Sequence, residues 1–284
     1  MTVFLAHDGS LNGDWIARYA LHIAAGTVEQ RLVVAHVEDA NISGEPLHAR
    51  LERLAGLGER MGVAVEVRIL PMQHGVFGGL DAHLRGEAGA LVVCGARAQG
   101  GRRGMLSGTI SERLLRQREY DVLSIHVLQP GLLGDPKRVL LALDGDDAVT
   151  GGAAAAVPFV KPLVSGIERL DVVYVETVSH WRFAHLSDAE AGRLRHAAQA
   201  IVDRAEAVLT DEMPLDRARM DTHVRVSDDW PKQIAVEAGR YRSGLTLLEM
   251  PPLHSRGLSF SHPVESLMRN APSDVAVYRK AGRS

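Results

Sequence analysis

The stretch from residue 94 to 111 reads CGARAQGGRRGMLSGTIS. Gly95, Gly100, Gly101 and Gly104 alternate there with Arg97, Arg102 and Arg103, ahead of Gly108, Thr109, Ile110 and Ser111. These types suit an anion. Glycines let the backbone approach a phosphate, and the unpaired amides at a helix start attract it. Arginine adds charge-assisted hydrogen bonds, and the Thr109 and Ser111 hydroxyls can donate. A plain surface connection can have the same composition, so the surrounding spacing has to decide. A second polar turn, His7-Asp8-Gly9-Ser10, follows the first apolar run. Ser10 is a candidate helix N-cap, and Asp8 can cap as well. His7 either contacts a ligand or packs beneath the loop.

Little else in the chain carries chemistry. There is no His-Glu-x-x-His pattern, no Gly-x-Ser-x-Gly turn and no phosphate loop ending in Gly-Lys-Ser/Thr. His180 and His185 flank Trp181 near Asp188, which reads as a lid-like loop rather than a metal site. Cys94, the single cysteine, excludes a disulfide framework and a cysteine-cluster zinc site. It reads as a small buried hydrophobe. No catalytic residue and no metal ligand is assigned.

The elements that must position these residues alternate. Residues 3–6, 31–37, 63–70, 90–94 and 122–127 read as short apolar strands, and 12–25, 46–60, 76–85 and 109–117 as helices between them. Strands follow near 138–143, 170–175, 222–226, 245–249 and 275–278, with a long helix at 188–208. Continuous Val/Leu/Ile runs suit strands buried on both faces, and the alternation predicts an α/β fold with parallel strands and helices on both sides. Open sheets of this kind bind ligands at the carboxyl ends of their strands, where Gly95 stands. Pro158 and Pro162 predict a break in the helix after residue 152.

The second set of strands echoes the first. Val3–Ser10 reads VFLAHDGS and Val139–Asp146 reads VLLALDGD, which places Asp8 on Asp144. LVVAHVED and DVVYVETV match with Val37 on Val175, and ERLLRQREYDVLSI matches ESLMRNAPSDVAVY with Glu112 on Glu265. Repetition over more than a hundred residues is a duplicated domain. Pro130, Gly131, Gly134 and Pro136 make 129–137 the linker, giving domains at 1–130 and 137–284.

Composition narrows the class further. The chain has 284 residues, 46% hydrophobic and 24% charged, with a net charge of −3. That is globular, and it argues against a strongly basic nucleic-acid or membrane-surface protein. No apolar run approaches the roughly 18 residues of a membrane span. The first ten residues reach Asp8 too soon for a secretory signal. The expectation is a cytoplasmic protein with no nucleic-acid or membrane partner.

The loop at 94–111 resembles the nucleotide loop of the universal stress protein family: Gly, two residues, Gly, nine residues, then Gly and Ser/Thr. Gly95 takes the first place and Gly108-Thr109 the last, with nine residues between Ala98 and Gly108. Ala98 stands where the family has its second Gly. The opening Asp-Gly-Ser and the strand ending at His36-Val37 fit the same family, over the first half and more faintly over the second.

The resemblance implies two repeated open parallel five-stranded sheets flanked by helices, Rossmann-like in the manner of the adenine nucleotide alpha hydrolases, with strand order 3-2-1-4-5. It implies ATP or AMP, with or without magnesium, in the first domain. Asp8 would sit near adenine and ribose, and the Val37 backbone would meet the adenine edge. Gly95, Arg97 and Ala98 would line the phosphate path, and Gly108, Thr109, Ile110 and Ser111 would hold the phosphates. The two domains would imitate the family's dimer, with 122–127 facing 275–278, and the chain could dimerise again.

The second half departs from the pattern. It reads EMPPLHSRGLSFSHPVESL after its fourth strand. Pro251 and Pro252 remove amide donors, and Glu249 would repel a phosphate near the place of Gly95. The second domain is expected to be structural or regulatory and to hold no nucleotide. Slow ATP hydrolysis, and a protein-contact or small-ligand role without nucleotide, are the alternatives.

Overall fold

The computed structural model describes residues 1–38, 45–87, 89–96, 109–143, 152–250 and 262–282. In chain order the elements are β1 (Val3–Ala6), α1 (Leu11–Ala25), β2 (Arg31–Val37), α2 (Glu45–Arg60), β3 (Ala64–Leu70), α3 (Val76–Leu84), β4 (Leu91–Gly95), α4 (Ile110–Leu115) and β5 (Asp121–His126). They continue as β6 (Arg138–Leu143), α5 (Ala153–Val160), β7 (Arg169–Thr177), α6 (His180–Ala184), α7 (Asp188–Glu212), β8 (Met220–Ser227), α8 (Trp230–Arg240), β9 (Leu245–Glu249), α9 (His262–Asn270) and β10 (Asp274–Arg279).

The apolar strands are apolar because both faces are covered. Val3 and Leu5 of β1 belong to one buried cluster with α1, while Phe4 points into a second cluster on the opposite face. The period-two alternation of a strand divides the core this way. α1 contributes Ile16, Ala17, Ala20 and Ile23 to the first cluster, and Leu114 and Leu115 of α4 join the second.

Among the described residues the strands form one sheet in the order β3-β2-β1-β4-β5-β10-β9-β6-β7-β8. The first five strands have the expected order 3-2-1-4-5, and the last five have it too when counted from β6. The two repeated five-stranded sets join edge to edge into this one sheet: β5 and β10 pair antiparallel, with Val275 opposite His126 and Arg279 opposite Val122. Every other neighbouring pair is parallel.

Two aspartates close this seam. Asp274, wholly buried at the start of β10, accepts from the Tyr19 hydroxyl at 2.6 Å and from the amides of Leu128 and Gln129 at 2.7 and 2.6 Å. Asp121, at the start of β5, accepts from the amide of Ala281 just past β10, at 2.7 Å. Burial pushes the Asp121 carboxyl above its ordinary value, against the Ala281 amide and Lys280.

The proline-bearing helix behaves as its composition requires. α5 contains Pro158 and ends at Val160, continuing as a 3-10 turn over Lys161–Leu163. Asp229 caps α8, accepting from the Lys232 amide at 3.0 Å. The stretch expected as a lid-like loop is instead helical: α6 starts at the Ser179 cap, and the His180 imidazole bonds to Asp228. Among the described residues no helix is long and apolar enough to cross a membrane.

Candidate functional site

β1 ends at Ala6, and the chain turns into α1 through His7, Asp8, Gly9 and Ser10. Gly9 has φ +76°, a left-handed conformation that favours glycine. Asp8 Oδ1 accepts from the Ser10 amide at 2.9 Å and from the Ser10 hydroxyl at 2.6 Å. The same hydroxyl accepts from the Gly13 amide at 3.2 Å and so caps α1. Asp8 therefore supports the cap rather than being it, and its residue is exposed just past the carboxyl end of β1.

Gly13 makes the fold-back feasible. A Cβ there would stand 2.7 Å from Asp8 Oδ1 and 3.1 Å from His7 Nε2. His7 itself is buried beneath the loop, its side chain 1% exposed. Its Nδ1 accepts from the Gly9 amide at 2.9 Å, and its Nε2 faces Asp14 Oδ1 at 3.2 Å. Asp14 Oδ2 takes Arg50 from α2. Burial holds the imidazole below its ordinary pKa, with Asp14 and Asp8 pulling the other way.

The strand register sets the neighbours. Ala6 pairs with Ala35 on one side and with Cys94 on the other. Two residues further along, Asp8 stands level with Val37 of β2 and Ala96 just past β4. The order β2-β1-β4 reverses direction of travel at β1, so the gap between the ends of β1 and β4 is the switch point where open α/β sheets hold ligands. Val37 is 4% exposed and packs its side chain into the second cluster, leaving its backbone at the strand end.

Gly95 ends β4 against α1. A Cβ on it would lie 3.2 Å from Asn12 Nδ2 and 3.4 Å from Ile16 Cγ1. Packing against α1 therefore already accounts for a glycine at this place. Cys94 beside it is buried, and burial pushes its thiol up to about 12, so it acts as core rather than as a nucleophile.

Thr109 is the N-cap of α4, accepting from the Glu112 amide at 3.1 Å, and its hydroxyl lies 2.9 Å from Ser111 Oγ. Ser111 is 3% exposed, and Ile110 packs against the second cluster. Arg97, Ala98 and Gly108 lie outside the described residues, as do Asp144 and residues 251–261. The structure thus brings Asp8, Val37 and Gly95 to three adjacent strand ends and sets Thr109, Ile110 and Ser111 at the start of α4. Sequence reasoning did not find Asn12, Gly13, Asp14 and Arg50. A glycine in the first turn of an otherwise good helix was the signal that something presses on that turn.

No protein-family profile matches the chain, and no curated protein matches it. Solved structures do. A universal stress protein from Archaeoglobus fulgidus covers 99% of this chain and 98% of its own, at 17% identity and a TM-score of 0.60. A protein of unknown function from Pseudomonas aeruginosa covers 97% and 91%, at 16% identity and 0.63. The cytoplasmic domain of a prokaryotic cation chloride cotransporter covers 100% and 96%, at 13% identity and 0.62. The chain has the fold these structures share, universal stress proteins among them, over its whole length.

Proposed function

We propose that the chain is a tandem universal stress protein of two domains, 1–130 and 137–284, whose first domain binds an adenine nucleotide, ATP or AMP. The observation that carries this reading is the Asp8 loop. An exposed carboxylate is held by Gly9 and Ser10 at the switch point of an open sheet, level with the end of β2.

In this reading Asp8 accepts from ribose or adenine, and the Val37 backbone meets the base. Gly95, Arg97 and Ala98 run along the phosphates, and Gly108, Thr109, Ile110 and Ser111 hold them. Magnesium would accompany the phosphates, and no residue is assigned to it. The residues present fit such a ligand: Asp8 is exposed at the carboxyl end of β1, and the Thr109 hydroxyl stands beside Ser111 Oγ at the start of α4.

The duplication has support beyond sequence. Val3 pairs with Leu32 and Val139 with Leu170, so Arg31 corresponds to Arg169 and Glu66 to Asp221. Both pairs are joined by ion pairs, Arg31 to Glu66 and Arg169 to Asp221. By the same register Glu249 and Met250 occupy the places of Gly95 and Ala96. A carboxylate at the phosphate path, followed by two prolines, makes the second domain a structural or regulatory partner. In this reading the two domains imitate a dimer within one chain, supported by the β5–β10 pairing, and the protein works in the cytoplasm.

Calorimetry with ATP and with AMP tests the reading. One equivalent per chain is expected, with binding weakened at least tenfold in Asp8→Ala (about 1.4 kcal/mol). At a hundred times the dissociation constant a thermal melt should register about 2.7 kcal/mol of added stability. Two equivalents would overturn the assignment of the second domain, and no heat and no shift would overturn nucleotide binding itself.

A further inference from the structure

His7 makes two hydrogen bonds of opposite polarity, and together they fix its protonation. The Gly9 amide can only donate, so Nδ1 at 2.9 Å must be bare. The proton then sits on Nε2, which faces the Asp14 carboxylate at 3.2 Å. Asp14 is anchored from α2 by Arg50, and the His7 carbonyl accepts from His36 Nδ1 at 2.8 Å. The imidazole thus ties the turn at Gly9 to α1, while the His7 backbone carbonyl ties the same residue to β2. The turn it ties is the one that presents Asp8, and the absence of a side chain at Gly13 is what gives Asp8 room to fold back over the helix.

We propose that His7 is the positioning residue of this site: its neutral imidazole is a strut that holds Asp8 at the crevice, and a second proton removes the strut. A proton on Nδ1 would point at the Gly9 N–H, donor against donor, in a place where the side chain is 1% exposed. Gly9 would have to swing away and carry Asp8 with it. The charged and titratable groups facing His7, among the described residues, are Asp8 on its own loop, Asp14 on α1 and His36 on β2, with Arg50 of α2 behind Asp14. The carboxylates favour the second proton, while burial and His36 oppose it, and burial is the largest influence. The strut therefore fails only below the ordinary histidine range. Leu143 stands at the corresponding place on β6, where no such pair of bonds can form.

The inference rests on the nucleotide reading only for the ligand that Asp8 meets, and its test separates the two. His7→Asn keeps an acceptor for the Gly9 amide and cannot titrate, while His7→Leu removes the acceptor. ATP affinity is measured by calorimetry at about pH 8 and about pH 5.5, either side of the ordinary imidazole value. Wild type should lose about tenfold more affinity on acidification than His7→Asn, and His7→Leu should bind about tenfold more weakly at the higher pH. Wild type and His7→Asn falling together, or His7→Leu binding as wild type does, would overturn the proposal. If no form binds ATP at pH 8, the nucleotide reading fails, and amide exchange at Gly9 decides the strut. Protection lost in acid by wild type and kept by His7→Asn supports it, and equal protection in both counts against it. Should the variants not fold, the imidazole nitrogen spectrum of wild type still decides. A proton on Nε2 is required, and a proton on Nδ1 overturns the strut.

Discussion

At position 13 two effects of similar size oppose one another. Alanine favours a helix over glycine by about 0.5–1 kcal/mol. The added methyl would also stand 2.7 Å from the Asp8 carboxylate and 3.1 Å from the His7 ring. Gly13→Ala should therefore change the melting temperature by only a few degrees while lowering ATP affinity about tenfold. Calorimetry showing unchanged affinity would remove Asp8 from the ligand's contacts. A second outcome at this scale concerns acid. His7, His22 and His83 are each held below the ordinary 6.5, burial being the first cause in all three. The unfolded chain then binds protons the folded chain refuses. This stability is fully present above 6.5 and lost progressively as pH falls toward the depressed values. Melts between about pH 7.5 and 5.5 should show a falling midpoint, and a flat or rising one contradicts the burial of these rings. The sequence announced Asp8 and His7 by type alone. It could not announce their division of labour, because that depends on Gly13 and Asp14 returning over the turn, which only helix geometry decides.

Elements were legible where their reason is local. The runs VFLA and RLVVAHV gave strands with bounds unchanged in the structure, since a strand covered on both faces is mostly apolar and its one buried polar side chain, His36, is hydrogen-bonded. α6 was not legible. It is five residues long, held by the Ser179 cap and by His180 reaching Asp228, a partner 48 positions away. The start of α1 carries its own prediction. The Ser10 hydroxyl gives one bond to Asp8 and takes one from the Gly13 amide, so Ser10→Ala should cost about 1 kcal/mol in a denaturant titration and loosen the Asp8 loop as well. Asp274 is a harsher case. Its removal leaves the Tyr19 hydroxyl and two amides unpaired in a buried place. Asp274→Ala should cost about 3 kcal/mol or more, and Tyr19→Phe about 1. Similar costs for the two would show that the amides find other partners.

The continuity of the sheet was the part least accessible to sequence. A strand at the edge of a sheet and one in its middle can both read as apolar, and the pairing of His126 with Val275 joins residues 149 positions apart. The structure turns that pairing into an expectation for the whole molecule. With β5 bonded to β10 and Tyr19 bonded to Asp274, the peptide between residues 129 and 137 is not what keeps the two sets of strands together. A protease site inserted after Gly131, where no neighbouring atom lies close, should give two fragments that travel as one particle until denatured. Fragments that separate on gel filtration would mean that the covalent link, not the seam, holds them.

The antiparallel seam has one more consequence. Because β5 and β10 run in opposite directions, all the strands on one side of the seam run opposite to all those on the other. The carboxyl ends of β1 and β4 therefore open on one rim of the sheet, and those of β6 and β9 on the opposite rim. β1 and β6 are five strand steps apart, about 24 Å across the sheet at roughly 4.8 Å per step. The two switch points therefore face opposite directions. A nucleotide bound as proposed at the first rim would leave the rim where β6 and β9 end open to a different partner.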